Sequence, residues 1–161
     1  MVTVAMNGFA GWNSFAGTNL VTQVFTSGEA DVVVTFENSA NMPSGWIGQA
    51  NWSYFPFNMQ AVSATIKLKT WDSMTLGQAQ DGFRRTAQHE MGHVLFLGGH
   101  SASSLDNMYP SGTADFFEAL TQRDGNSLLT AYCNSFGNRG GRASLGTPVR
   151  GSVNCPPSHS H

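Results

Sequence analysis

Residues 89–100 read HEMGHVLFLGGH, and this stretch decides how the rest of the chain is interpreted. His89 and His93 are four residues apart, so on a helix their imidazoles lie one turn apart on the same face. From there they can reach one metal ion together. Glu90 lies beside that face, where a carboxylate can take a proton from a metal-bound water. The spacing H-E-x-x-H therefore predicts a zinc-binding helix.

A third histidine, His100, follows a pair of glycines. We expect Gly98 and Gly99 to end the helix in the left-handed conformation and to return His100 toward the metal. Three protein ligands and one water are typical of a catalytic zinc, whereas a structural zinc has four protein ligands. The alternative is that the histidines only form a polar helix face. Because three of the five histidines fall within this stretch, the metal site is favoured.

The composition is that of one folded domain. The 161 residues are 40% apolar and 11% aromatic, which is enough for a hydrophobic core. Only 11% are charged, the formal net charge is −2, and the basic residues are scattered, which argues against nucleic-acid binding. No apolar run approaches the length of a membrane span. The start, MVTVAMNGFAGW, lacks the features of a signal peptide, so we expect a mature domain.

The two cysteines, Cys133 and Cys155, match no metal-binding spacing. They are either two free thiols or one disulfide that ties the C-terminal segment to the helix before it. Low charge and an even number of cysteines suit a secreted, extracellular protein, so the disulfide is favoured.

The pattern along the chain predicts one α+β domain over residues 1–161, with a twisted mixed sheet packed against a long zinc-binding helix and a C-terminal helix. Thr121 and Asp124 form a weak capping box at the start of the last helix. Residues 134–161, rich in Gly, Ser, Pro and Asn, are expected to be irregular. Periodicity predicts helices over 2–12, 76–97 and 121–132, and strands over 20–25, 30–36, 48–54 and 63–70.

Segments on both sides of the histidine motif carry a resemblance to a known family. HEMGHVL followed by GGHS resembles the zinc helix and third ligand of a matrixin (matrix metalloproteinase), a member of the metzincin clan. DNMYP, residues 106–110, resembles the Met-turn that lies beneath the metal in that family. GEADVVVTF resembles its third strand, LTQRDGNSLLTAY its C-terminal helix, and FAGWNSF…LVTQVF the end of its first helix and its second strand. These segments cover most of residues 5–132 in the family's order.

The resemblance implies a zincin-like fold and a role for individual residues at the metal. His89, His93 and His100 would be ligands of one catalytic Zn²⁺, and Glu90 would be the general base. Met108 would be the apolar support beneath the site; the alternative is an ordinary core methionine.

Other residues are implied at the substrate and beneath the site. Tyr109 and Pro110 would help to wall the pocket for the residue after the scissile bond, and Trp52 and Tyr54 are candidates to line the cleft. Asp124 matches the acidic residue that steadies the Met-turn in the family. Its alternative is the capping role already given.

The chain departs from the family pattern after the second histidine. Six residues separate His93 from His100 where the family has five, so Phe96 stands where the family has glycine. One extra residue rotates a helical position by about 100°. We expect the turn at Gly98 and Gly99 to absorb it, with His100 still at the metal; a local π-bulge is the alternative means.

The N-terminal part and the remaining metals differ from the family as well. The family's first strand is not clearly present: MVTVAMN takes its place, residues 143–154 take its place, or the strand is missing. The histidines that bind a second, structural zinc in the family are absent, so no such zinc is expected. Calcium is left open, because so few acidic residues do not define a site.

The expected function is that of a zinc metalloendopeptidase that hydrolyses protein or peptide substrates with a zinc-activated water. The substrate would lie extended along an exposed strand, 48–54, and pair with it through main-chain hydrogen bonds. We expect a monomer without nucleic-acid or membrane partners. The alternatives are a zinc-binding but catalytically inactive adhesion or binding module, and a metal-free β-rich binding domain.

Overall fold

The fold is seen in a computed structural model, which describes residues 1–16, 19–55, 60–70, 76–95, 98–110, 119–136 and 149–155. The chain combines helices with strands that form one sheet. This is an α+β fold, which confirms the predicted class. Among the described residues, no helix is both long and apolar enough to cross a membrane. In chain order the elements are α1 (Val2–Ala10), α2 (Asn13–Ala16), a short 3-10 turn (Ser27–Glu29), β1 (Val32–Glu37), β2 (Gly48–Phe55), β3 (Gln60–Lys69), α3 (Leu76–Val94), α4 (Gln122–Phe136) and β4 (Val149–Cys155).

The sheet is mixed, as predicted, and its strands lie in the order β1-β3-β2-β4. β1 runs parallel to β3, whereas β2 runs antiparallel to both β3 and β4. The alternation in β3 buries Ala64, Ile66 and Leu68 on one face, as expected for a half-buried strand. The strands predicted over 30–36 and 63–70 are therefore confirmed in kind and position.

Helix α3 packs against α1 on one side and against β2 and β3 on the other. The apolar side chains of α3 recur at helical spacing and are buried in the core. The side of the helix that carries the histidines is therefore not needed for this apolar packing. The core side chains are Ala5, Phe9, Trp12, Ala50, Ala64, Ile66, Leu68, Phe83, Ala87, Met91, Val94, Leu95, Met108 and Leu128.

The strand predicted over 20–25 is wrong, because residues 19–26 form no regular element. The side chain of Asn13 takes the place of a neighbouring strand. Val21 N donates to Asn13 Oδ1 at 2.9 Å, and Asn13 Nδ2 donates to Val21 O at 3.1 Å. An amide side chain can in this way satisfy backbone groups that a ladder would otherwise use.

The prediction that residues 134–161 are irregular is wrong in two places. Helix α4 continues to Phe136, and Val149–Cys155 forms β4. β4 pairs with β2 from Gly48 opposite Cys155 to Tyr54 opposite Val149. Strand β2 is therefore an interior strand, and the exposed edge on which a substrate was expected to lie is already paired.

Among the described residues, neither candidate for the family's first strand pairs with β1. MVTVAMN lies in helix α1, and β4 is at the end of the sheet opposite β1. Among the described strands, β1 ends the sheet on its own side. The disulfide stays a prediction, because the side chains of Cys133 and Cys155 lie outside the described part of the chain.

The contact between α1 and α3 depends on a glycine. A Cβ at Gly8 would meet the carbonyl oxygen of Arg84 and would lie 3.2 Å from both Ala87 Cβ and Gln88 N. We expect Gly8→Ala to separate the helices and to lower the free energy of unfolding by about 1–3 kcal/mol. Urea unfolding of the full chain measures the change.

Gly82→Ala in α3 is the matched control. A Cβ at Gly82 meets nothing within 4 Å, so alanine there should raise stability by up to about 1 kcal/mol through helix propensity. Equal unfolding midpoints for the two variants would contradict the close packing of α1 on α3.

Candidate metal centre

Three histidines lie together at the end of α3. The ligand nitrogens of His89, His93 and His100 are all within 4.8 Å of one another. His89 Nε2 and His93 Nε2 are 3.1 Å apart. Two ligands of one tetrahedral Zn²⁺ lie about 3.3 Å apart when each is about 2.05 Å from the ion. The cluster can therefore hold one metal ion, as the spacing of the motif predicts.

The ring of His89 is oriented by the segment 106–110, which is named the Met-turn here after the family segment that it resembles. Its Nδ1 lies 2.6 Å from the carbonyl oxygen of Asn107. A carbonyl only accepts, so Nδ1 carries the proton and Nε2 keeps its lone pair for a metal. Burial lowers the pKa of His89 from 6.5 to about 3, with a smaller contribution from His93. The imidazole is thus neutral, the form that binds metals, throughout the physiological range.

His100 reaches the cluster from an exposed position after the helix. Its ring centroid is 5.3 Å from that of His89 and 5.0 Å from that of His93. Desolvation by partial burial lowers the pKa of His100 as well. The expectation that His100 stays with the other two histidines, despite the extra residue, agrees with this placement.

The expectation that Gly98 and Gly99 end the helix in a left-handed conformation is wrong. Neither Gly98 nor Gly99 is left-handed; Gly45, with a φ of 88°, is the positive-φ glycine among the described residues. Helix α3 already ends at Val94, three residues earlier than predicted. The chain has therefore left the helix before it reaches the glycines. Phe96 lies outside the described residues.

Glu90 is fully buried on the turn of α3 that carries the histidines. Strand β2 lies directly against it: a Cβ at Gly48 would meet Glu90 Oε1 and would be 2.8 Å from Glu90 Cδ and Cγ. The ring of Trp52, further along β2, stacks on His93 with centroids 6.4 Å apart and planes at 14°. Strand β2 thus forms the wall beside both the carboxylate and the second histidine.

Met108 packs beneath the same turn of the helix. A Cβ at Gly92 would meet Met108 Sδ and would lie 3.1 Å from Met108 Cε and 2.8 Å from Trp12 Cζ2. Glycine at this position lets the methionine reach the helix backbone next to His93. Met108 is itself buried, as an ordinary core methionine would be, and its role as the support beneath a metal stays a prediction.

Asp124 has both of the roles that the sequence left open. Its carboxylate accepts hydrogen bonds from Asn107 N at 3.0 Å and from Met108 N at 3.3 Å, which ties the Met-turn to α4. It also accepts from Thr121 N at 2.9 Å, and Asp124 N donates to Thr121 Oγ1 at 3.2 Å. This reciprocal pair is a capping box, as predicted.

Of the residues expected at a substrate pocket, the structure brings Trp52 to the histidines. Tyr54, Tyr109 and Pro110 are half-buried, and their roles in a pocket stay predictions.

The sequence interpretation missed Gly48, Ser101 and Asp106. Gly48 contacts Glu90, which is distant in sequence, and Ser101 bonds to Asp106 within one loop. A glycine at the start of a strand and a polar loop that follows a ligand are the signals that point to them.

Comparison of the chain with protein-family models, with curated proteins and with solved structures gives no match. The resemblance to the matrixins therefore stands on the motifs and on the geometry of the histidines, and it stays a proposal.

The depressed pKa of His89 has a consequence for the metal-free protein. Below pH 6.5 the unfolded chain protonates this imidazole and the folded chain does not, so stability falls as the pH falls toward about 3. We expect the slope between pH 6.5 and 5 to exceed that of His89→Gln by up to about 1.4 kcal/mol per pH unit. Urea unfolding of both proteins in a chelator measures the slopes. Identical slopes would contradict a neutral, buried His89.

Proposed function

We propose that the protein is a secreted zinc metalloendopeptidase of the metzincin clan, similar to the matrixins, which hydrolyses peptide bonds in proteins or peptides. One observation carries the proposal: three histidine ligand nitrogens lie within 4.8 Å of one another, and two of these histidines are on the helix turn that also carries the buried carboxylate of Glu90. A module that only binds a metal need not keep a buried carboxylate beside its ligands.

The chemistry of the donors favours zinc. Among the described residues, the cluster consists of three imidazoles, with no carboxylate or thiolate in it. Calcium and magnesium prefer oxygen ligands. The common non-haem iron site requires one carboxylate among its ligands. Three histidines and an open position are typical of a catalytic zinc site.

A zinc ion held there would act as a Lewis acid and lower the pKa of its water toward about 7. The protein's own contribution is to place the groups around it. His89 is held in the metal-binding tautomer by the carbonyl of Asn107. Glu90 takes the proton from the attacking water and returns it to the leaving amine. Gly48 leaves just enough space for the Glu90 carboxylate at the start of β2.

Glu90→Gln tests the function directly. The amide keeps the size of the side chain but cannot take a proton, so we expect full zinc content and a loss of casein cleavage by at least about 100-fold. His93→Gln is the companion variant, and it should lose both zinc and activity. Zinc analysis and a casein assay, with and without a chelator, measure both.

The outcomes separate the candidate functions. Undiminished cleavage by Glu90→Gln would refute the role of that residue. Wild-type protein that binds one zinc and cleaves nothing would identify an inactive binding module. Protein that takes up no zinc would favour the metal-free binding domain.

A further inference from the structure

His100 is the ligand that the helix does not hold. It is exposed and lies in irregular backbone after α3. The two residues before it are exposed glycines, and a Cβ at either would meet nothing within 4 Å. The ring of His100 contacts those of His89 and His93, and the residues that follow it hold the backbone beside it.

We propose that Asp106 is a positioning residue of the metal centre, which fixes His100 by holding the adjacent Ser101. The proposal rests on the proposed function only in taking the three histidines as ligands of one metal ion. It does not depend on peptide hydrolysis.

Ser101, directly after His100, is held at two points. Its backbone N–H donates to Met108 O at 2.8 Å. Its hydroxyl donates to Asp106 Oδ2 at 2.5 Å and in turn accepts from Ser103 N at 3.1 Å. These bonds close the segment 101–108 into a loop. His100 directly precedes the first residue of this loop.

The carboxylate of Asp106 joins this loop to the start of α4. It is 1% exposed, and its Oδ1 accepts from Thr121 Oγ1 at 3.0 Å. Arg123 Nε lies 3.1 Å from Oδ2 and forms an ion pair. Because the Arg123 side chain is 63% exposed, this ion pair adds little net stability. These contacts hold the carboxylate of Asp106 in place, and that carboxylate in turn holds Ser101.

The same residue lies beside the contact that orients His89. Asn107 follows Asp106 in the chain, and its carbonyl accepts from His89 Nδ1. Asp106 thus lies between Asn107, which bonds His89, and Ser101, which directly follows His100. Residues that orient metal ligands from outside typically change metal affinity by about 10–100-fold when they are removed.

Ser101→Ala removes one half-buried hydroxyl and is the main test in the full chain. We expect it to weaken Zn²⁺ binding by about 10–100-fold in competition with a chelator. We also expect it to lower the visible absorption of the Co²⁺-substituted protein, which reports tetrahedral coordination. Asp106→Asn should have the same effects. Urea unfolding of the metal-free variants shows whether each is folded.

Two controls separate positioning from general damage to the loop. Ser101→Thr keeps the hydroxyl and should restore affinity and spectrum to within about twofold of wild type. Ser104→Ala removes an exposed hydroxyl from the same loop and should leave both unchanged. If Asp106→Asn does not fold, Ser101→Ala alone decides the question.

The proposal is overturned if folded Ser101→Ala binds Zn²⁺ and Co²⁺ as the wild type does. It is also overturned if wild-type protein takes up neither metal, a result that removes the proposed function too. Wild-type protein that binds zinc but cleaves no peptide bond ends the proposed function alone, and the comparison of Ser101 variants stays informative.

Discussion

The hydrogen bond from His89 Nδ1 to the carbonyl of Asn107, 2.6 Å long, is the contact on which the rest of the centre depends. It selects the tautomer that presents Nε2, and it joins the end of α3 to the Met-turn. The Met-turn is in turn bonded to Asp124 at the start of α4. Three segments that are far apart in sequence are thus held in one arrangement by groups that belong to the protein itself.

The buried polar side chains are concentrated around this centre. A buried polar side chain costs free energy wherever it lacks a compensating partner. The places where such side chains are kept therefore indicate where the fold has a functional site. Asn107 Oδ1 is buried without a hydrogen-bond partner among the residues that the structure describes. Such groups collect where a fold serves a function as well as its own stability. The buried polar residues are Arg85, Thr86, Gln88, His89, Glu90, His93, Asp106, Asn107 and Asp124.

Local features of the fold and of the site could be predicted from the sequence. The spacing of His89 and His93 depends only on the pitch of a helix, and the Thr121–Asp124 capping box spans a single turn. The predictions that were wrong concern segments whose structure depends on partners distant in sequence. The strand expected over 20–25 is replaced by bonds from Asn13, and β4 exists through its pairing with β2. The contact of Gly48 with Glu90 joins a strand to a helix, so the sequence shows the glycine at the start of the strand but not its partner.

Strand β4 gives the wall of the centre a second partner, with a thermodynamic consequence. The outer edge of β2 is paired with residues Val149–Cys155. Any extended peptide that recognises β2 through its main chain therefore exchanges one antiparallel neighbour for another. Its apparent affinity is the intrinsic affinity scaled by the fraction of molecules in which that edge is open. The stability of β4 in the sheet thus limits the apparent affinity of such a peptide for β2, separately from any chemistry at the histidines.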